Sequence, residues 1–214
     1  MIQTERLVLR PWRDEDRAAF AAINADPRVH DWLGGPIPPA ATDAMVDRIN
    51  AAIAANGFGF WAAEHRADGR LAGMIGLSRV GEGDLPVGPC VEIGWRLHPD
   101  FWGQGLASEG ARAALDWGFG SGGLAEIIAF TAQTNLASQA VMRRIGMTPD
   151  PSRDFDHPRL AQDQPLRRHV VWLARPDLLP QGGGGPGRCP GPVGVCGGAG
   201  APPRPSAGPS GRCG

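Results

Sequence analysis

With 214 residues and a formal net charge of −1, the chain has room for one core of domain size and falls short of two. All 21 basic residues are Arg, and the 18 that precede residue 182 face 22 acids, so no basic stripe exists for a nucleic-acid backbone. The longest apolar runs fall far below the ~18 residues a membrane span needs. Met1-Ile2-Gln3-Thr4-Glu5-Arg6 is no signal-peptide opening, so a soluble cytoplasmic protein without membrane contact is expected.

Glu5 to Arg10 alternates as a strand should, and Pro11 closes it. Asp14 is placed to cap a helix through Ile23, which Asp26-Pro27 ends. His30 to Pro39, with Gly34-Gly35-Pro36 and Pro38-Pro39, is a loop. A second helix is expected from Thr42 to Asn56-Gly57, with Met45, Ile49, Ala52 and Ile53 at helical spacing. Phe58 to Glu64 and Leu71 to Ser78 are strands joined by a turn at 66–70. After a glycine-bearing loop, the strand Val91 to Leu97 turns Val91, Ile93, Trp95 and Leu97 to one face and Glu92, Gly94 and Arg96 to the other. Cys90, just ahead of it, is the only cysteine before the tail, and no cysteine pair has metal-ligand spacing, so no metal is expected.

His98 to Gly105 leads into a helix with Leu106, Ala107, Ala111, Ala114 and Leu115 on one side. A strand at 126–132 precedes a helix capped by Asn135 and closed by Gly146. A last strand at 169–174, set at an edge, offers pairing between chains, leaving monomer or homodimer open. The domain is assigned to residues 1–176. Residues 177–214 are expected to form a Gly/Pro-rich disordered tail, since 182–214 hold 13 Gly and 7 Pro without an acid or an aromatic. Strands and helices in this order give a mixed α/β fold of helices packed on a sheet.

The strand–loop–helix unit 91–118 carries the strongest chemical signal. Gly103 and Gly105 sit where the chain turns into a helix, followed by small Ala107 and Ser108. Glycines admit a ligand close to the backbone, and free N–H groups at a helix N-terminus favour phosphate oxygens. Neither the P-loop nor the dinucleotide fingerprint fits this spacing. Asn135-Leu136-Ala137-Ser138, directly after the next strand, is a second constellation, although each residue alone reads as a helix cap or a small helix residue.

The order of these pieces resembles the GNAT acetyltransferases, and within them the RimJ/RimL-like branch. The resemblance is carried by Thr4 to Pro11, Val91-Glu92-Ile93-Gly94-Trp95-Arg96-Leu97, Phe101 to Glu109, Asn135 to Ser138 and Arg144-Ile145-Gly146-Met147. It covers residues 2–175 and none of the tail. It implies the GNAT fold, a mostly antiparallel mixed sheet of about six to seven strands with about four helices. It also implies direct acetyl transfer from acetyl-CoA to a primary amine, either a protein N-terminus or a small molecule. By that resemblance Leu97 holds the pantetheine arm, and the loop Trp102, Gly103, Gln104, Gly105, Leu106, Ala107 and Ser108 holds the pyrophosphate. Trp102 stands where much of the family has Arg or Gln. Asn135 would contact the pantetheine, Ser138 would lie near the sulfur, and Glu92 would act as general base through a water. Trp32 and Phe155 fall where the family builds its amine pocket. With no Tyr in the chain, a tyrosine cannot protonate the leaving thiolate. Two rivals stay open: a non-catalytic acyl-CoA-binding module of the same fold, and a structural protein whose glycine loop is only a turn.

Overall fold

The computed structural model of the protein describes residues 1–179. In chain order the elements are β1 (Ile2–Gln3), β2 (Leu7–Arg10), α1 (Asp16–Ala25), α2 (Pro27–His30), α3 (Pro39–Asn56), β3 (Phe60–His65), β4 (Leu71–Val80) and β5 (Cys90–Leu97). They continue as α4 (Leu106–Phe119), β6 (Ile127–Ala132), α5 (Leu136–Arg144), β7 (Thr148–Pro149), β8 (Phe155–Asp156) and β9 (Arg168–Ala174). One sheet runs β1-β2-β3-β4-β5-β6-β9-β7, with β8 also paired to β9. Every pairing is antiparallel except β5 with β6.

The mixed fold expected from the sequence is present, with nine strands and five α-helices among the described residues. The additional elements are two-residue strands and the four-residue α2, too short to show a periodicity of their own.

Alternation along the strands divides the core between two faces. On one face Leu7, Ile75, Ile93 and Leu97 pack against Leu106, Ala111 and Leu115 of α4 and Met142 of α5. On the other, Ala62 and Met74 meet Phe20 and Ile23 of α1 and Val46 and Ile49 of α3. Further along that second face, Ile128 and Val171 pack with Phe155, backed by Leu85 and Val87 of the 81–89 loop.

Helix starts moved where long-range partners outcompeted local ones. Asp14 does not cap α1; its exposed carboxylate accepts Arg17 Nε at 3.0 Å. Asp16 is captured instead, gripping Arg10 Nη1 at 2.6 Å and Nη2 at 2.9 Å while accepting the Arg13 N–H at 2.8 Å. Thr42 lies inside α3, not at its start, because its hydroxyl accepts from buried Asn24 at 3.0 Å. Pro39 opens that helix, where a missing N–H costs nothing.

The strand at 169–174 is not an edge. β6 pairs one side of it, and β7 and β8 the other, so it offers no free rim to a second chain. After it, the N–H groups of Leu178 and Leu179 donate to Arg175 C=O, and Leu179 packs against the core. Beyond Leu179, the disordered tail expected over 177–214 lies outside the described residues.

Candidate active site

β5 is where the sheet opens. It pairs with β4 along all eight residues, from Val80↔Cys90 to Gly73↔Leu97, but meets β6 only at Glu92↔Ile128. His98 N–H donates to Ala72 C=O at 2.9 Å, and this fixes the antiparallel alternation. It follows that the main-chain groups of Ile93, Trp95 and Leu97 turn away from β4, towards the gap with β6. Gly73 makes the close pairing possible: a Cβ there would stand 2.1 Å from Arg96 O. Because β5 and β6 are parallel, their C-terminal ends share one rim. Each runs there into a helix N-terminus, α4 after β5 and α5 after β6. Crevices at the carboxyl ends of parallel strands are the usual ligand sites of such sheets.

The loop into α4 is held by its own atoms. Trp102 is 44% exposed, and its indole Nε1–H donates to Leu97 C=O at 2.8 Å. Gln104 Nε2 donates back to Asp100 C=O at 2.6 Å. Gly103 and Gly105 have φ of 72° and 80°, which side chains rarely tolerate. Gly105 is the N-cap of α4 and offers no side-chain cap. The first intrahelical bond runs from Glu109 N–H to Gly105 C=O at 3.0 Å, so the N–H groups of Leu106, Ala107 and Ser108 have no intrahelical acceptor. Ser108 Oγ beside them is buried without a partner. Unanswered donors and a helix N-terminus fit an anionic diphosphate. The side chain of Leu106 points into the core, so only its main chain serves the loop.

Across the gap, Asn135 is the N-cap of α5, and its Oδ1 accepts Ser138 N–H at 3.1 Å. Asn135 is buried and Ser138 half-buried, one turn into the helix. The Arg143 guanidinium, in the last turn of α5, lies 5.5 Å from the centroid of the Trp172 ring.

Glu92, Gly94 and Arg96 face the opposite side, towards α1–α3 and the 81–89 loop. Among the described residues the Glu92 carboxylate has neither a hydrogen bond nor a salt bridge, and burial pushes its pKa up to about 7. A carboxyl poised there holds its proton loosely enough at neutral pH to exchange it with an acceptor.

Trp32 and Phe155, expected at the amine pocket, precede two loops that approach each other. A Cβ on Gly34 would lie 3.4 Å from Leu160 Cδ2, so the loop after α2 and the loop after β8 touch. Trp32 and Leu33 stand exposed beside this contact, at 43% and 37%. Phe155 plays a different part from an open wall. It is 5% exposed, stacks on His169 with centroids 5.3 Å apart, and meets Phe130 edge-on at 5.5 Å. Burial lowers the pKa of His169 and of its neighbour His157, favouring the neutral rings. Phe130 and His169 went unnoticed in the sequence because nothing local marks them; Arg96 was visible only as a strand residue in phase with Glu92.

A sheet split open between parallel strands, with a helix N-terminus on each side, suits an acyltransferase that carries its donor on a long coenzyme. Residues 6–148 match the acetyltransferase (GNAT) domain, and the chain belongs to the GNAT acetyltransferase family. The FsC-acetyl coenzyme A-N(2)-transacetylase of Aspergillus fumigatus is 35% identical over 153 residues, covering 69% of this chain and 64% of that protein. The chain thus spans under two thirds of that relative's length. An acetyltransferase from Agrobacterium tumefaciens superposes with a TM-score of 0.65 at 29% identity, over 81% of this chain and 93% of that one. The RimJ structure from Mycobacterium smegmatis, titled as a complex with CoA-disulfide, shares the fold at 24% identity. Its TM-score is 0.63, over 82% of this chain and 84% of that one.

Proposed function

We propose that the protein moves the acetyl group of acetyl-CoA directly to a primary amine, a protein N-terminal α-amine or a small-molecule amine. The carrying observation is Glu92: an unpaired carboxyl at the one register where β5 and β6 still touch, facing away from the helices that frame the coenzyme crevice. The N–H groups from Gly103 to Ser108, in the loop and the first turn of α4, hold the pyrophosphate, with Trp102 and Gln104 bracing the loop. The β5 main chain through Leu97, together with Asn135, lines the pantetheine. When bound, acetyl-CoA supplies an activated thioester. The neutral amine attacks the thioester carbonyl, and Glu92, through a water, takes the proton its nitrogen sheds as the N–C bond forms and the C–S bond breaks. Ser138 or solvent returns a proton to the thiolate.

An α-amine with pKa near ~8 is about a tenth neutral at pH 7, whereas a lysine amine near ~10.4 is almost wholly charged. A base of pKa about 7 is therefore matched to the former. The name of the Aspergillus relative, an N(2)-transacetylase, supports an amine acceptor. We place the protein in the cytoplasm as a monomer or homodimer. Among the described residues no helix is long and apolar enough to cross a membrane.

The test is release of CoA thiol across a panel of primary amines, with wild type and a double variant carrying Glu92→Gln and Ser138→Ala. Turnover with at least one amine, lost in the double variant while acetyl-CoA still binds, supports the proposal. Acetyl-CoA binding without turnover on any amine would identify a non-catalytic acyl-CoA-binding module instead.

A further inference from the structure

Arg10 is buried in this protein and Arg96 half-buried, and their charges are treated differently. Arg10 meets Asp16 through both Nη atoms and Glu64 through Nε at 2.7 Å, so its charge is answered twice. Arg96 has no such answer. Its Nη1 donates to Asn24 Oδ1 at 2.6 Å, and its guanidinium carbon lies 5.8 Å from the Phe20 ring centroid. Among the described residues no carboxylate lies within salt-bridge distance of it, and Nε is buried with no acceptor. Burial alone drives its pKa down to about 10. A half-buried cation held only by a neutral amide carries a desolvation cost, and an orphaned buried donor adds to it.

The unanswered side has a shape. Nε and Nη2 lie along one edge of the guanidinium, the edge that grips a carboxylate through two parallel hydrogen bonds. Nη1, on the far side, is the atom committed to Asn24. That bond, continued by Asn24 Nδ2 to Thr42 Oγ1 at 3.0 Å, holds the group in place against α1 and α3. Arg96 also shares a strand face with Glu92, four residues away, or about 13 Å along the strand. The loop bearing Trp32 follows directly after α1 and α2.

We propose that Arg96 anchors a carboxylate of the acceptor, so that the protein acts on amines whose own molecule carries a carboxylate a few residues' length away. A single carboxylate balances the single charge on Arg96 and supplies the acceptor that Nε lacks. This assignment rests on the acyl-transfer function proposed above.

The experiment measures binding of reaction-product mimics, so it needs no turnover. N-acetylated peptides of one to four residues, each as free acid and as C-terminal amide, are titrated into the CoA-loaded protein. Wild type, Arg96→Lys and Arg96→Gln are compared; Gln retains a donor for Asn24, and unchanged coenzyme-induced stabilisation certifies each variant's fold. The expected result is that at some length the acid binds wild type at least tenfold tighter than its amide. Arg96→Lys keeps part of that preference and Arg96→Gln loses it. Equal binding of acid and amide at every length, including none, overturns the proposal, as does a preference that survives in Arg96→Gln. Failure of the acyl-transfer function itself reads separately, as absence of stabilisation by acetyl-CoA, and the acid–amide comparison is then made on the protein alone.

Discussion

Arg6 and Glu109 are joined three ways across the turn between β1 and β2 and the first turn of α4. Arg6 Nε and Nη2 each lie 2.7 Å from Glu109 Oε2, and the Arg6 backbone N–H donates to Oε1 at 2.8 Å. Thr4 Oγ1 adds a bond to Oε1 at 2.6 Å, and Arg6 Nη1 reaches Gln104 C=O at 2.9 Å. The N-terminal segment thus clamps both the glycine loop and the helix it opens.

Glu109→Gln keeps the shape and removes the charge. Charge-assisted bonds are roughly twice as strong as neutral ones, so the loop should lose order before the fold does. Acetyl-CoA affinity is expected to fall about tenfold, or about 1.4 kcal/mol, by calorimetric titration. An unchanged Kd in a folded variant contradicts the clamp.

Glu92, as the proposed base, is expected to set the pH dependence of turnover. A base must be unprotonated to act, and burial holds this carboxyl up to about 7, so kcat/KM should rise as pH increases through 7. Glu92→Gln should remove that limb and lower kcat about 100-fold or more. Stability moves the opposite way. A carboxyl whose folded pKa lies above its unfolded value destabilises the fold as pH rises from about 4.5 through 7. Glu92→Gln should therefore raise stability at pH 8, by an amount on the order of 3 kcal/mol, and leave it nearly unchanged at pH 4. Urea titrations at the two pH values check this; a destabilised variant at pH 8 would give the carboxylate a structural partner instead.

Phe155 and Trp32 should separate cleanly. Phe155→Ala empties a packed aromatic site and is expected to cost about 3–5 kcal/mol. Trp32→Ala, at an exposed loop tip, should change stability by less than about 0.5 kcal/mol. In steady-state kinetics it should raise the acceptor KM and leave that for acetyl-CoA alone. The reverse pattern would move the amine pocket elsewhere.

Arg10 and Asp16 form a buried pair, and breaking it by Asp16→Asn is expected to cost about 3–5 kcal/mol. Burial pushes the Asp16 carboxyl up, but hydrogen bonds from Arg10 and from the Arg13 N–H more than offset this and hold it below 3.8. A depressed folded pKa stabilises above the unfolded value and is lost as pH falls through the folded one. Wild type should lose this stabilisation on acidification below about pH 4, while Asp16→Asn shows a flatter acid limb in thermal melts.

Much of the local geometry at the candidate site could be read along the chain. The phase of β5, with Ile93 and Leu97 inward and Glu92 and Arg96 opposite, follows from alternation, and the Asn135 cap from its residue type. What sequence could not show was settled by partners far along the chain. Arg10 decided which aspartate opens α1; Asn24 placed Thr42 inside α3; His169 made Phe155 a packing residue. The two-residue strands β7 and β8 exist only because β9 lends them a register, and they turn an expected edge into an interior strand.

The most direct test of the central claim is thermal unfolding of the whole chain with and without acetyl-CoA, with CoA for comparison. Ligand at ~100 times Kd adds about 2.7 kcal/mol, or roughly 5–10 °C for a chain of this size. A shift of that order with acetyl-CoA is the predicted result. An unchanged melting temperature in a folded protein would contradict the account, and the glycine loop would then be only a turn.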